Sequence, residues 1–201
     1  MREFDADYFE GKTSPIDYDS IFYKITVRLR FRTLMRLLKE LNRTDGVLID
    51  IGCALGDFVS KLSKKGYRTL GCDVSKWAAI KAKKLHPEIC IVRADVNFLP
   101  FKEKAFNIVT MLETLEHCSE LNKVLEEIHR IAASKGLVIF SVPTTDFNNT
   151  YADKTHVWHL SLKDWLKVFE GRFRLLKIRY FLKGLRHLDK KLCNTFFALE
   201  A

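Results

Sequence analysis

The sequence predicts an α/β fold with a doubly wound, mostly parallel seven-stranded sheet and an antiparallel strand at the C-terminal end. Short runs of branched apolar residues alternate along the chain with amphipathic segments, a pattern typical of a parallel sheet covered by helices on both faces. A tight turn with two glycines follows the first apolar run, and an acidic residue closes each of the first three. Ligands of such sheets bind at the carboxyl ends of the strands, so we expect a site there.

The chain has 201 residues, of which 47% are hydrophobic, which is enough for one compact domain with a substantial core. No apolar run approaches the roughly 20 residues that a membrane-spanning helix needs. The first residues are acidic and lack the apolar core of a signal peptide. We therefore expect a soluble, cytoplasmic protein; the oligomeric state is not predicted.

The cysteines and the charge set limits on ligands. The five cysteines are scattered and never spaced as C-x-x-C, so we predict reduced packing residues and no metal site. The formal net charge is +9, which can attract nucleic acid, acidic lipids or anionic small molecules. Four cations recur at every fourth residue and stack into one basic ridge: Lys24, Arg28, Arg32 and Arg36. We interpret this ridge as a solvated helix face, with phosphate contact as the alternative.

The elements follow in order along the chain. Residues 1–20 form an aromatic and acidic arm of irregular structure. A helix at residues 21–42 has a predicted core face at helical spacing: Ile25, Leu29, Leu34, Leu38 and Leu41. Strands are predicted from residue 47 and at residues 67–73, 89–94, 106–111 and 136–142.

Helices connect these strands. They are predicted at residues 57–65, from a Ser75 cap to residue 85, and from a Ser119 cap to residue 132. Residues 144–160 are loop-like yet hold aromatic residues and histidines, which is unusual for a simple connection. Ser161 caps a last helix to residue 170, and strands near residues 173–180 and 194–200 could pair as a hairpin.

The turn after the first strand reads Asp50-Ile51-Gly52-Cys53-Ala54-Leu55-Gly56. Gly52 can adopt backbone angles closed to other residues and lets a ligand approach the chain, so we expect Gly52→Val to abolish binding with the fold intact. Gly56 leaves the first N–H groups of the next helix open to a polar ligand. Asp50 can orient the loop amides or accept from a cationic ligand group. An ordinary strand-to-helix turn also uses glycines, so this loop alone is a weak signal.

Acidic residues end three successive strands: Asp50, Asp73 and Asp95. Asp73 occupies about the position of the ribose-binding acid in a nucleotide-binding βαβ unit, and Asp95 is placed to accept from an adenine amino group. A single aspartate at a strand end is most often a helix cap. Three in register favour joint binding of one adenosine-containing ligand.

From Val47 to Val142 the chain resembles the class I S-adenosylmethionine-dependent methyltransferases, in the UbiE/UbiG-like branch with a type 11 methyltransferase domain. The acid-x-Gly-x-Gly-x-Gly signature matches residues 50–56, with Ala54 in place of the middle glycine. The second-strand acid matches Gly71-Cys72-Asp73-Val74-Ser75, and the adenine-side acid matches Ala94-Asp95-Val96. The fourth-strand motif matches Phe106-Asn107-Ile108-Val109 and Leu112-Glu113-Thr114-Leu115-Glu116-His117.

The resemblance implies a Rossmann-like methyltransferase fold with S-adenosylmethionine as cofactor and S-adenosylhomocysteine as product. It implies an arm and lid helix at residues 1–45 and a catalytic domain at residues 46–201. The glycine loop would hold the methionine part, Asp73 the ribose, Asp95 and Val96 the adenine, and the Leu112 carbonyl the ammonium group. The implied cofactor-binding set is Asp50, Gly52, Cys53, Ala54, Gly56, Asp73, Val74, Asp95, Val96 and Leu112.

Three histidines could act as a general base, which is needed only if the acceptor must lose a proton. His117 follows the fourth strand, and His156 and His159 follow the fifth, so all three are expected near the cleft mouth. We favour His156, although each could be a packing residue. Four aromatic residues of the arm and lid helix could line the acceptor pocket or anchor the arm: Tyr8, Phe9, Tyr18 and Tyr23.

The preferred reading is methyl transfer to an oxygen or nitrogen atom of a small molecule. One alternative is an RNA or another anionic polymer bound through the ridge and through basic residues near the C-terminus: Lys177, Arg179, Lys183 and Arg186. Another is a non-catalytic module that binds S-adenosylmethionine. A nicotinamide dehydrogenase is disfavoured because its G-x-G-x-x-G loop has no preceding acid.

Overall fold

The computed structural model describes residues 4–14, 17–146, 151, 153–180 and 194–201. Its strands form one seven-stranded sheet in the order β3-β2-β1-β4-β5-β7-β6. They are β1 Val47–Ile51, β2 Arg68–Asp73, β3 Cys90–Arg93, β4 Phe106–Leu112, β5 Ala132–Pro143, β6 Arg174–Tyr180 and β7 Asn194–Glu200. The first five pair in parallel, and β7 runs antiparallel to its neighbours β5 and β6. The predicted fold class and the C-terminal hairpin are confirmed.

The described helices are α1 Ala6–Phe9, α2 Ile21–Glu40, α3 Asp57–Ser63, α4 Lys76–Leu85, α5 Leu121–Ile131 and α6 Leu162–Phe169, with a 3₁₀ turn at Leu115–His117. Ser75 and Ser161 cap α4 and α6 as predicted. The predicted Ser119 cap is wrong, because Glu120 is the residue before α5. The short α1 was not predicted, since four residues are too few to show helical periodicity.

The helices pack on both faces of the sheet because successive residues of each strand point to opposite faces. Ile49, Val109 and Phe140 face α5 and α6, where Val124 and Trp165 are buried against them. On the other face Leu48, Ile108 and Ile139 pack against Leu34 and Leu38 of α2. The helices cover both faces of the sheet. Because β1 to β5 pair in parallel, their carboxyl ends meet at one edge.

The inward face of α2 differs from the prediction. Its buried residues include Tyr23, Val27, Leu34 and Leu38, whereas Ile25 is 51% exposed. Ile25 is two positions after Tyr23 in the chain, and at 3.6 residues per turn this step places Ile25 about 200° around the helix from the buried stripe. The prediction that Ile25 faces the core is therefore wrong.

Some of the residues named in the sequence analysis lie outside the described ranges. The basic residues Lys183 and Arg186 and the cysteine Cys193 fall in a segment that is not described. Within the described ranges, no helix combines the length and the apolar character needed to cross a bilayer.

Candidate cofactor and acceptor site

A cavity of about 390 Å³ opens at the carboxyl ends of the parallel strands, beneath the N-terminal arm. This volume falls within the range of small-molecule sites. Six of the ten predicted ligand residues lie in its wall: Gly52, Ala54, Asp73, Val74, Asp95 and Val96. The other four, Asp50, Cys53, Gly56 and Leu112, are not among the described wall residues.

The glycine loop is held in a left-handed conformation and tied to β2. Gly52, Ala54 and Gly56 have φ of 72°, 47° and 78°. The N–H groups of Gly52 and Cys53 both donate to the Cys72 carbonyl, at 2.7 and 3.0 Å. Ala54, at the position of the middle glycine of the signature, thus has a left-handed backbone angle, which is strained for a residue with a side chain.

Gly52 is required by a close contact as well as by its φ. A Cβ atom at this position would lie 2.2 Å from the Thr114 Oγ1, which no real contact reaches. This geometry argues against the expectation that Gly52→Val leaves the fold intact, because the new side chain would collide with Thr114. At Gly56 an added Cβ would meet the Ile89 Cδ1 at 2.6 Å.

Asp73 joins the loop to the start of α4. Its Oδ2 accepts from the Ala54 N–H and its Oδ1 from the Ser75 N–H, both at 2.8 Å. The pKa of Asp73 is raised because the carboxyl is buried, and the two N–H donors offset part of this rise. The carboxylate thus stands in the cavity wall at the end of β2, in an orientation fixed by two backbone donors.

Asp50 is buried in a different environment. Its Oδ1 accepts from the Thr110 hydroxyl of the adjacent strand at 2.6 Å, whereas the loop amides of Gly52 and Cys53 bond to Cys72. The suggestion that Asp50 orients those amides is wrong for this structure. Burial raises the pKa of Asp50 to about 7.

We expect this buried carboxyl to make stability depend on pH. An aspartate ionises near its ordinary pKa in the unfolded chain but only near pH 7 in the folded protein, so its contribution to stability is lost as the pH rises through the folded pKa. Relative to Asp50→Asn, the unfolding free energy of the parent should fall by about 1.4 kcal/mol per pH unit between about pH 4 and 7. Urea unfolding across this range measures it, and parallel profiles of the two proteins would contradict it.

Asp95 and Leu112 also take specific positions. Asp95 Oδ1 accepts from the backbone and side-chain N–H groups of Asn97, at 2.9 and 2.8 Å. Both bonds fall on one oxygen of a carboxylate that lies in the cavity wall. The Leu112 carbonyl accepts from the Thr114 hydroxyl at 3.1 Å, just before Glu113 turns the chain at φ 53°.

The three predicted histidines come together, but only His117 is among the described wall residues. The ring centroids of His117 and His156 are 4.9 Å apart, and those of His156 and His159 are 6.2 Å apart. His159 stacks on Tyr151 at 4.0 Å. The structure therefore places His117, rather than the favoured His156, at the cavity.

Thr155 links His117 to Asp153. The Thr155 hydroxyl oxygen lies 2.6 Å from Asp153 Oδ1 and 2.9 Å from His117 Nδ1. When the hydroxyl hydrogen is donated to Asp153, His117 Nδ1–H is the donor in the second contact, and the lone pair of the neutral imidazole is on Nε2.

Sequence reasoning missed Glu116, which is 1% exposed and has no hydrogen-bond partner for either carboxylate oxygen among the described residues. Burial raises the pKa of Glu116 well above its ordinary value, and Glu113 raises it further. Ligand atoms of Glu116, His117 and His156 lie within 4.8 Å of one another. This set could share a proton or hold a divalent cation, whereas the sequence predicted no metal site.

Sequence reasoning also missed Arg30, a buried residue of α2 whose Nη2 lies 3.9 Å from Glu113 Oε2. A signal was available, because Arg30 falls on the apolar stripe through Val27 and Leu34 and not on the basic ridge. Helix α2 therefore brings a cation to the acidic turn after β4.

The N-terminal arm closes one side of the cavity with aromatic side chains: Phe4, Tyr8, Phe9 and Tyr18. Phe9 stacks on Trp77 of α4 with ring centroids 5.3 Å apart, and the Ser75 hydroxyl donates to the Phe4 carbonyl at 2.5 Å. Tyr23 is buried beside Tyr18 instead of lining the cavity. The arm residues thus serve both proposed purposes, since they line the cavity and anchor the arm.

The sheet order, the glycine loop after β1 and the acids after β1, β2 and β3 define a class I S-adenosylmethionine-dependent methyltransferase. The class agrees with the resemblance seen in the sequence. The chain belongs to a methyltransferase-domain family, whose profile matches residues 24–181.

Several curated proteins are similar. Protein MJ0638 of Methanocaldococcus jannaschii is 31% identical over 78% of this chain and 71% of its own length. The malonyl-[acyl-carrier protein] O-methyltransferase of Hamiltonella defensa is 32% identical over 47% of this chain and 36% of its own length. Human mitochondrial arginine-hydroxylase NDUFAF5 is 30% identical over 69% of this chain and 39% of its own length. The chain therefore spans much less than two thirds of the latter two proteins.

The solved structures support the fold. Protein PH0226 from Pyrococcus horikoshii superposes with a TM-score of 0.73 at 17% identity, over 96% of this chain and 98% of that one. A methyltransferase from Aquifex aeolicus gives 0.66 at 16% identity, over 83% and 88%.

Proposed function

We propose that this protein transfers a methyl group from S-adenosylmethionine to an oxygen or nitrogen atom of a small molecule. The observation that carries the proposal is one cavity whose wall contains Gly52, Ala54, Asp73 and Asp95 together with His117. We infer that the cofactor and the reacting end of the acceptor both enter this cavity of about 390 Å³ and contact these residues.

The residues of the cavity fit the cofactor. The loop backbone at Gly52 has no side chain to obstruct a ligand, Asp73 can accept from ribose hydroxyls, and Asp95 with Val96 can contact an adenine. The Leu112 carbonyl at the end of β4, which is outside the described wall and accepts from the Thr114 hydroxyl, is the proposed partner of the ammonium group. When bound, S-adenosylmethionine supplies an electrophilic methyl group on a sulfonium.

On the acceptor side, the chain can remove a proton and fix geometry. His117 presents Nε2 as a base while Thr155 and Asp153 hold its ring from the other nitrogen. The arm aromatics Tyr8 and Tyr18 exclude water above the cavity. Alignment of acceptor and methyl group can supply much of the rate enhancement, and the base adds to it when a hydroxyl reacts.

The acceptor is not identified by the relatives. The name of the malonyl-[acyl-carrier protein] O-methyltransferase supports an oxygen acceptor, and another relative is a demethylmenaquinone methyltransferase of Streptomyces avermitilis.

We retain a cytoplasmic location and an arm-and-lid division at residue 45 as predictions. An RNA acceptor and a non-catalytic binding module remain the alternatives.

The experiment that tests the function uses methyl-labelled S-adenosylmethionine. Calorimetry should first show that the protein binds the cofactor, and incubation with fractionated cell extract should then yield a labelled small molecule detected by mass spectrometry. Label in an RNase-sensitive polymer would favour the RNA alternative. Tight binding without label in any fraction would favour the non-catalytic module, and no binding would refute the proposal.

The histidines give a further prediction. If His117 is the base, His117→Ala should lower turnover by about a hundredfold or more, while cofactor affinity changes less than about threefold. His156→Ala should have a smaller effect in the same direction, since it lies behind His117. His159→Ala, which removes a ring stacked on Tyr151, serves as the control and should leave turnover within about threefold of the parent. An unchanged rate in His117→Ala would make this residue a packing residue.

A further inference from the structure

The outward face of α2 carries apolar side chains that the core does not use. Ile21, Phe22 and Ile25 are 78%, 52% and 51% exposed. Isolated exposed apolar residues are common on proteins, but a contiguous group marks a surface that something else covers. These three lie within five consecutive residues at the start of one helix, so they form such a group.

Cations surround this apolar group. An open groove between α2 and α3 is lined by three apolar and three cationic side chains: Ile21, Ile25, Phe31, Lys24, Arg28 and Lys61. Arg32 and Arg36 continue the basic ridge along the same helix, each about one turn further on. Apolar residues and cations therefore share one face, with the apolar residues concentrated in its first two turns.

Among the residues that the structure describes, no ion pair is formed by Lys24, Arg28, Arg32 or Arg36. No acidic residue occurs from residue 20 to residue 39. In the described part of the chain, the ion pairs of α2 are made by Arg30, which lies off the ridge, and by Glu40, which lies one turn beyond Arg36 and pairs with Lys177 and Arg179. By contrast, Lys81 on α4 is paired with Asp19, and Lys83 donates to two carbonyls.

We propose that the outward face of α2 docks on an anionic phospholipid surface. A helix lying in the plane of such a surface inserts its apolar residues at the acyl boundary and places its cations among the phosphates. An RNA would satisfy the cations but leave Ile21 and Ile25 in water. The charge complementarity and the exposed aliphatic side chains together favour the lipid surface, and this proposal does not depend on the methyl acceptor.

Sedimentation with vesicles tests the proposal on the full chain. We expect binding to vesicles of phosphatidylcholine and phosphatidylglycerol in equal parts, and little binding to phosphatidylcholine alone. Added salt should weaken binding because it screens the phosphates from the ridge. Equal sedimentation with both kinds of vesicle, or with neither, would overturn the proposal.

Paired variants separate the two contributions. Phe22→Ser/Ile25→Ser should weaken binding to the anionic vesicles by about tenfold or more, because two apolar side chains no longer insert. Lys24→Gln/Arg28→Gln should weaken it by more than about tenfold and reduce its salt dependence. All four side chains are exposed, so the thermal midpoint should be unchanged in both variants.

A matched control uses two exposed apolar residues of another helix. Ile80→Ser/Leu85→Ser on α4 should leave vesicle binding as it is in the parent. If the control weakens binding as much as the α2 variants do, the docking surface is elsewhere. If Phe22→Ser/Ile25→Ser binds vesicles normally and only the charge variant fails, with polyuridylic acid competing for the same residues, the ridge binds anionic polymers and the lipid proposal is wrong.

Discussion

Asp73→Ala should reduce the affinity for S-adenosylmethionine by about a hundredfold, because hydrogen bonds to a charged group contribute about 1.5–3 kcal/mol each. The substitution removes the proposed acceptor for the ribose hydroxyls. It also removes the acceptor of the Ala54 and Ser75 N–H groups, so the glycine loop and the start of α4 lose a shared anchor. Isothermal calorimetry below the unfolding temperature measures the affinity.

Two further proteins make this result interpretable. Asp57→Ala changes an aspartate at the start of α3 that is not among the described wall residues, and it should bind the cofactor as the parent does. Asp73→Asn keeps one oxygen for a loop N–H and should retain more stability than the alanine variant. A folded Asp73→Ala that binds with parental affinity would refute the ribose assignment.

Gly52→Val should destabilise the protein by more than about 3 kcal/mol and thereby abolish cofactor binding. Two costs add at this position, the left-handed backbone at φ 72° and the overlap of the new side chain with Thr114. Denaturant unfolding gives the size of the effect. We expect the variant to be unfolded or expanded at temperatures where the parent is stable.

Milder substitutions separate these two costs. Gly171→Ala places a Cβ at φ 80° where nothing lies within 4 Å, so it isolates the backbone strain at about 1 kcal/mol. Gly52→Ala should cost clearly more. In a double-mutant cycle with Thr114→Gly, the two changes should be less harmful together than their sum. Strict additivity would show that Thr114 is not the obstacle.

The sequence was sufficient for the parts of the site that depend on the strands. Each parallel strand contains a short apolar run, and parallel pairing brings the carboxyl ends of these strands to one edge of the sheet. Asp73 and Asp95 therefore lie in the cavity wall, at the sheet edge where the sequence predicts them. The ligand roles of these residues stay predictions until a cofactor complex is measured.

Other parts depended on packing that no local pattern reveals. Asp50 lies near the end of β1, as the other acids lie near the ends of their strands. Its carboxylate, however, accepts a hydrogen bond from Thr110 on β4 and not from the loop. The choice between His117 and His156 depended on how residues 153–159 fold back over the 3₁₀ turn. Glu116 is one residue from a predicted histidine, but only the three-dimensional structure shows that it is buried and that no described residue forms a hydrogen bond with its carboxylate.

The contacts of the N-terminal arm have a consequence for the rate of the reaction cycle. One wall of the cavity consists of Phe4, Tyr8 and Phe9, which are fastened to α4 by a ring stack and by one hydroxyl-to-carbonyl bond. A cofactor bound in this cavity would lie against the arm, so we infer that the arm moves when the product leaves. We therefore expect the opening of the arm, and not methyl transfer, to be the rate-limiting step when the acceptor is abundant.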